Sequence, residues 1–180
     1  MTKNYETHRV EVAGVERDLR LFEIKPGVKI AILNILGDTE LVQVVSAELG
    51  EKLKAHAPDV LVTAEAKSIP LAHALSVVMD VPYVVLRKTY KPYMGDALKS
   101  ETLSITTGTP QTLFLDEKDR ALIDGHRVAV IDDVISTGST LQGMRLILQR
   151  AGANIVAEAA IFTEGDRAKW SEIIALGHLP

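Results

Sequence analysis

Two adjacent carboxylates, Asp132 and Asp133, stand between an apolar run and a small, hydroxyl-rich turn. The run is Val128, Ala129, Val130 and Ile131; the turn is Ser136, Thr137, Gly138, Ser139 and Thr140. A turn of that kind opening a helix makes a phosphate cradle. Backbone N–H groups at a helix N-terminus point outward unpaired, and the helix dipole adds partial positive charge. Gly138 lets the main chain approach a phosphate closely, and the four hydroxyls add donors. The carboxylates would repel a bare phosphate, so they call for a ligand that also offers hydrogen-bond donors. A sugar phosphate is such a ligand, with its phosphate in the turn and its hydroxyls on Asp132 and Asp133. The plain structural alternative is that Asp132 ends a strand and Ser139 or Thr140 caps a helix. No Gly-x-x-x-x-Gly-Lys-Ser/Thr occurs in the chain, so a Walker B strand at 128–132 has no Walker A partner. Two further clusters carry charge. One is Ala64-Glu65-Ala66-Lys67-Ser68, and the other is Arg87, Lys88 and Lys91 followed by Pro92.

Each cluster needs an element to hold it. Residues 128–131 form a continuous apolar run, which suits a strand buried on both faces. From Leu141 the chain reads as a helix to about Arg150, with Leu141, Met144, Ile147 and Leu148 at helical spacing and Gly152 as the stop. Residues 60–62 are a short buried strand, 71–79 a helix with Pro70 in its first turn, and 83–86 the next strand. Strand, helix and strand at this spacing form a βαβ unit, which implies parallel pairing and a right-handed crossover. Residues 155–162 give a last core strand, and 166–176 read as a short amphipathic helix. Before the core, residues 8–12 and 15–24 read as strands joined by a turn at Ala13-Gly14, with a bulge near Phe22. A further apolar stretch covers 28–36. Asp38 is the expected N-cap of a helix ending near Lys54, with Leu41, Val44, Val45, Leu49 and Leu53 on its apolar side. Residues 103–106 and 112–115 are short alternating segments that read as a hairpin.

This alternation argues for an α/β fold: an open, mostly parallel sheet with helices on both faces and a small N-terminal hood. In such sheets ligands sit beyond the carboxyl ends of the strands. The loops 64–68, 87–95 and 132–140 should therefore converge. At 180 residues, with 47% hydrophobic and 24% charged, the chain is one globular domain with a sizeable core. Its divisions read as 1–37 (hairpin and hood), 38–165 (ligand-binding core) and 166–180 (C-terminal helix). A net charge of −4 argues against a general nucleic-acid or membrane surface. There is no cysteine, no signal-peptide pattern and no apolar run of membrane-spanning length, so a soluble cytoplasmic protein is expected.

The run Val-Ile-Asp-Asp-Val-Ile-Ser-Thr-Gly-Ser-Thr, from Val130 to Thr140, resembles the phosphoribosyl-pyrophosphate (PRPP) signature of the type I phosphoribosyltransferases. The resemblance implies that Val134, Ile135, Ser136, Thr137, Gly138, Ser139 and Thr140 bind PRPP. Within that run Ser136–Thr140 is the implied 5-phosphate loop itself and Val134 and Ile135 belong to the PRPP site more generally, while Asp132 and Asp133 are implied to hold the ribose hydroxyls. Ala64, Glu65, Ala66, Lys67 and Ser68 occupy the place of the family's pyrophosphate loop, with Glu65 as a carboxylate near the base. They resemble the Glu-Ala-Arg-Gly of adenine phosphoribosyltransferases, with Lys67 for Arg and Ser68 for Gly. Arg87-Lys88-x-x-Lys91 resembles the start of that group's mobile loop, which implies neutralisation of leaving pyrophosphate. Leu33-Asn34, followed by Asp38 and Leu41, resembles the hood of bacterial xanthine phosphoribosyltransferases, where an Asn contacts the purine. Similarity to the purine group runs from about Asn34 to Phe162. It implies a purine base, adenine ahead of xanthine, together with Mg²⁺ carried by PRPP and a homodimer.

The same domain also occurs in bacterial purine repressors, so a PRPP-sensing regulator is the second hypothesis. Those proteins add an N-terminal winged helix, whereas the residues before the hood here read as a hairpin of mixed charge. A nucleotide-binding module without catalysis is the third; Arg87 and Lys91 argue against it.

Overall fold

The computed structural model describes residues 5–103 and 110–179. Among these residues ten strands and four α-helices run in the order β1 (Thr7–Val12), β2 (Val15–Lys25), β3 (Val28–Ile32), α1 (Thr39–Lys54), β4 (Val60–Ala64), α2 (Ile69–Met79), β5 (Tyr83–Leu86), β6 (Leu98–Leu103), β7 (Pro110–Leu115), α3 (Arg120–Ile123), β8 (Arg127–Ile135), α4 (Ser139–Arg150), β9 (Asn154–Glu164) and β10 (Ile174–Leu179). Among the described residues no helix is long and apolar enough to cross a membrane.

The central sheet has the order β10-β9-β8-β4-β5, with every pair parallel. Alternation along its middle strands sorts side chains between two cores. Leu61, Ala129, Ile131 and Ile161 face α1 and α2, while Val60, Val62, Val128 and Val130 face α4 and the β6–β7 hairpin. A strand covered on both sides has no polar face to show, which is why residues 128–131 are continuously apolar. The N-terminal strands form a separate antiparallel sheet, β1-β2-β3. Its bulge falls between Glu23 and Lys25, close to the expected place. Asp38 caps α1 as expected, accepting from the Leu41 N–H at 3.2 Å. It also receives Arg17 of β2 at 2.7 and 2.8 Å, which ties the hood to the core.

Two expectations are corrected. Residues 166–176 do not form a helix. Arg167–Trp170 make a 3₁₀ turn capped by Asp166, and Ile174–Leu179 add β10 to the free edge of β9. The open ladder groups of β9 are satisfied only by another strand, and this outweighs a short helical spacing of apolar residues. Gly177 suits the pairing, since a Cβ there would lie 2.5 Å from the Phe162 ring. The first strand of the central hairpin also lies earlier than expected, at Leu98–Leu103; of the expected span, 104–106 falls outside the described residues. Its sequence hides the strand because hydroxyls follow Leu98 on the inward face: Ser100 and Thr102 are buried against α4, and the Ser100 hydroxyl donates to the Gly143 carbonyl at 3.1 Å.

Candidate active site

From β4 the chain returns through α2 to β5 on one side, and from β8 it returns through α4 to β9 on the other. The strand order therefore reverses between neighbours β4 and β8. A crevice opens beyond their carboxyl ends, where α/β sheets of this kind bind ligands. Residues 65–68 leave one end of it and residues 136–138 leave the other.

β8 carries Asp132 and Asp133 on its last residues; Asp133 is buried and Asp132 half-buried. Ile135 points into the second core and Val134 packs on the first, so these two can offer the crevice only main chain. Gly138 sits at the N-cap position of α4 with φ +80°, and no side chain caps the helix. The Ser139 N–H turns to the Thr137 hydroxyl at 3.4 Å, and the next N–H groups of α4, those of Thr140 and Leu141, are left without a side-chain acceptor. They border a cavity of about 230 Å³ lined by Gln111, Asp132, Ser136, Thr137, Gly138 and Thr140, among others. The Thr137 and Ser139 hydroxyls share a hydrogen bond of 3.2 Å, and Thr140 donates to Gln111 at 3.3 Å.

Ser68 holds the N-cap position of α2 but does not cap it. Its hydroxyl instead lies 2.8 Å from Asp132 Oδ1 and 3.2 Å from Asp133 Oδ1, and it accepts the Asp133 N–H at 3.0 Å. Lys67 Nζ pairs with Asp133 Oδ2 at 2.8 Å and donates to the Leu33 carbonyl at 2.9 Å. One lysine thus spans the hood, the β4 loop and the acidic pair. Burial pushes the Asp132 carboxyl up to about 7; the adjacent Asp133 charge adds to the rise and the Ser68 hydroxyl offsets part of it.

Glu65 links the β4 loop to the basic loop. It receives Arg87 Nε at 2.6 Å and the Lys88 main-chain N–H. Burial would raise its carboxyl, but the Lys88 N–H and the Arg87 guanidinium outweigh that, and it lies below the ordinary glutamate value. Ala64 is buried at the end of β4, Ala66 is exposed, and the Glu65–Ala66 peptide is cis. The side chains of Lys88 and Lys91 form no ion pair among the described residues. Lys91 opens a 3₁₀ turn, its N–H directed at the Met94 sulfur. The Leu33 side chain is part of the core, so only its carbonyl reaches the site. Asn34 is exposed, and its Oδ1 accepts the Leu36 N–H at 3.2 Å.

Three residues at the site carried no signal in the sequence. Gln111 reaches Thr140 from β7. Lys169 Nζ donates to the Thr137 carbonyl at 3.0 Å, and the Trp170 ring abuts Gly138. All three depend on pairings distant along the chain, and the last two were concealed by the helical spacing of 166–176.

The arrangement matches known proteins. The family model described as phosphoribosyl transferase domain matches residues 34–176. The hypoxanthine/guanine phosphoribosyltransferase of Methanococcus voltae is 38% identical over 116 residues, covering 64% of this chain and 58% of that protein. The hypoxanthine/guanine phosphoribosyltransferase of Methanocella paludicola is 35% identical over 111 residues, covering 62% and 54%. The aligned stretch thus spans just over half the length of these relatives. Among solved structures, the adenine phosphoribosyltransferase of Thermoanaerobacter pseudethanolicus superposes with a TM-score of 0.70 at 21% identity, over 89% of this chain and 95% of that one. The Giardia lamblia enzyme complexed with 9-deazaadenine gives a TM-score of 0.73 at 18% identity, over 89% and 93%. At such identities the structures establish the fold.

Proposed function

The chain belongs to the phosphoribosyl transferase family, and from that premise we propose that it transfers the 5-phosphoribosyl group of PRPP to a purine base, releasing pyrophosphate. The observation that carries this reading is the meeting of the Asp132–Asp133 pair, the 136–140 turn and the 65–68 loop at one strand-order reversal. The 5-phosphate lies against the first N–H groups of α4 and the hydroxyls of the turn. The ribose hydroxyls donate to Asp132 and Asp133, taking the place of Ser68 and Lys67. Lys67, so released, joins Arg87, Lys88 and Lys91 in balancing the charge of the pyrophosphate. A base nitrogen forms its bond to C1 as the bond from C1 to the pyrophosphate oxygen breaks. Positive charge grows on the ribose ring, so the acceleration comes from orientation and electrostatic stabilisation rather than a covalent nucleophile.

Mg²⁺ fits this donor set as a partner of PRPP. Among the described residues no three His, Cys, Asp or Glu side chains converge on one point. Mg²⁺ commonly binds through one or two carboxylates and substrate phosphates while keeping waters, and Asp132 and Asp133 supply such carboxylates. Bound with PRPP, the ion neutralises pyrophosphate charge.

The base contacts proposed are the Leu33 carbonyl and Asn34 of the hood, with Glu65 nearby. The relatives similar in sequence are named for hypoxanthine and guanine, and they do not carry the adenine preference expected from the sequence. We therefore place the 6-oxopurines first and adenine second. A homodimer in the cytoplasm belongs to the same proposal on family resemblance, and sedimentation checks the dimer. The test mixes purified protein, PRPP and Mg²⁺ with hypoxanthine, guanine, adenine, xanthine or orotate separately. The expected product is a purine nucleotide. PRPP binding with no nucleotide from any base would replace this reading with a PRPP-sensing regulator.

A further inference from the structure

The wall behind the phosphate turn comes from the segment between β9 and β10. Trp170 is buried there, its indole N–H donating to the Glu164 carbonyl at 3.0 Å. The far edge of its ring presses on the turn, so that a Cβ added at Gly138 would lie 2.5 Å from Cη2. Lys169 stacks its ammonium 4.3 Å from the centroid of that ring and donates to the Thr137 carbonyl at 3.0 Å.

This carbonyl belongs to the same peptide group as the Gly138 N–H. In a trans peptide the two point in opposite directions. The ammonium on the outer, oxygen end polarises the group and strengthens the N–H as a donor on the inner side, where the cavity lies. The turn has no cation of its own, and no cationic side chain lines the cavity among the described residues. Glu164 stands on the same wall, its carboxyl raised by burial against the opposing influence of His178 and Ser136. An acid on this wall works against a phosphate, and the Lys169 ammonium opposes it.

We propose that Lys169 and Trp170 are positioning residues for the 5-phosphate. Lys169 acts through the Thr137–Gly138 peptide, and Trp170 holds that peptide in place. The inference rests on the reading of the turn as a phosphoribosyl site and adds residues outside the motif that suggested it.

Trp170 is the single tryptophan of the chain, so its fluorescence reports on the turn. Wild type, Lys169→Gln and Lys169→Arg are titrated with ribose 5-phosphate and, separately, with pyrophosphate and Mg²⁺. The KM for PRPP and kcat are measured alongside. Lys169→Gln should weaken ribose 5-phosphate about fivefold, the scale of a cation facing a phosphate dianion across one peptide in a partly wet site. Its KM for PRPP should rise more than its kcat falls, pyrophosphate binding should hold, and Lys169→Arg should recover most of the loss. Equal ribose 5-phosphate affinity in wild type and Lys169→Gln overturns the proposal while leaving the phosphoribosyl reading intact. A parallel loss of pyrophosphate binding, or no recovery in Lys169→Arg, also overturns it by indicating general loosening. If the wild type binds neither ribose 5-phosphate nor PRPP, the phosphoribosyl reading itself fails and takes this inference with it. For Trp170→Phe, ribose 5-phosphate should raise the melting temperature less than in wild type. An equal rise removes Trp170 from the proposal, and if that variant does not fold the Lys169 series decides.

Discussion

At the end of β8 the proposed ligand-binding groups are main-chain N–H donors, held by Gly138 and backed by Trp170. Around the end of β4 they are charged side chains already engaged with neighbours: Lys67 with Asp133 of β8, and Glu65 with Arg87 just after β5. Main-chain donors at a helix terminus cost little to keep in place, because their positions follow from the helix itself. Paired side chains must exchange partners when a ligand arrives, and the gain is the difference between two sets of contacts. In the proposed reading the phosphate half of the crevice is therefore preorganised, while the pyrophosphate half responds to what is bound.

The comparison can be broken at several points. The largest expected effect is on Asp133, where the proposed ribose contact would displace the Lys67 pair. Asp133→Ala should lower kcat by about 10²-fold or more, the scale of losing one preorganised stabilising group; a steady-state rate within a factor of about two of wild type would remove it from that role. Gly138→Ala tests the preorganised half. Its φ of +80° and the 2.5 Å approach of the indole leave no room for a Cβ. A loss of about 1–3 kcal/mol is expected in denaturant melts, with weaker ribose 5-phosphate binding.

Arg87→Ala tests the responsive half. With Glu65 left with the Lys88 N–H alone and the proposed pyrophosphate contact gone, kcat/KM for PRPP should fall about tenfold, while ribose 5-phosphate binding by titration stays near wild type. The smallest effect concerns stability. The carboxyl of Asp132 is raised when folded, to about 7, so the folded chain holds this proton more tightly than the unfolded one, whose value is about 3.9. Stability should then fall as pH rises from about 4 to about 7, and the penalty is fully present above that range. Asp132→Asn keeps an acceptor for the Ser68 hydroxyl and removes the charge. Its melting temperature should exceed wild type by about 2–6 °C at pH 8 and by less at pH 5, although catalysis suffers. A lower melting temperature at pH 8 would contradict the strain assigned to the acidic pair.

Legibility in the sequence followed the same division. The β8–α4 stretch is contiguous, so strand, carboxylates, turn and helix could be read as one chemical unit from Val128 to Leu141. The β4–α2 loop was placed correctly in the sheet, but its contacts were not foreseen. Ser68 stands at the N-cap position of α2, yet its hydroxyl turns to Asp132 because two adjacent carboxylates at a strand end need donors more than the first turn of α2 needs an acceptor. Leu33 was expected at the base through its neighbourhood to Asn34, and only its carbonyl is free of the core. The C-terminal segment was misread because a few apolar residues fit a helical period. What decided it was the open edge of β9, which no local pattern reveals.

The claim that both halves serve a single ligand is tested most directly by calorimetric titration with ribose 5-phosphate, pyrophosphate and PRPP in the presence of Mg²⁺. Joining two fragments in one well-matched site makes the second contact intramolecular, so PRPP should bind about 10²-fold or more tighter than either fragment, and each fragment should compete with it. Equal affinities for PRPP and ribose 5-phosphate, with pyrophosphate failing to compete, would contradict the account and leave only a phosphate-binding turn.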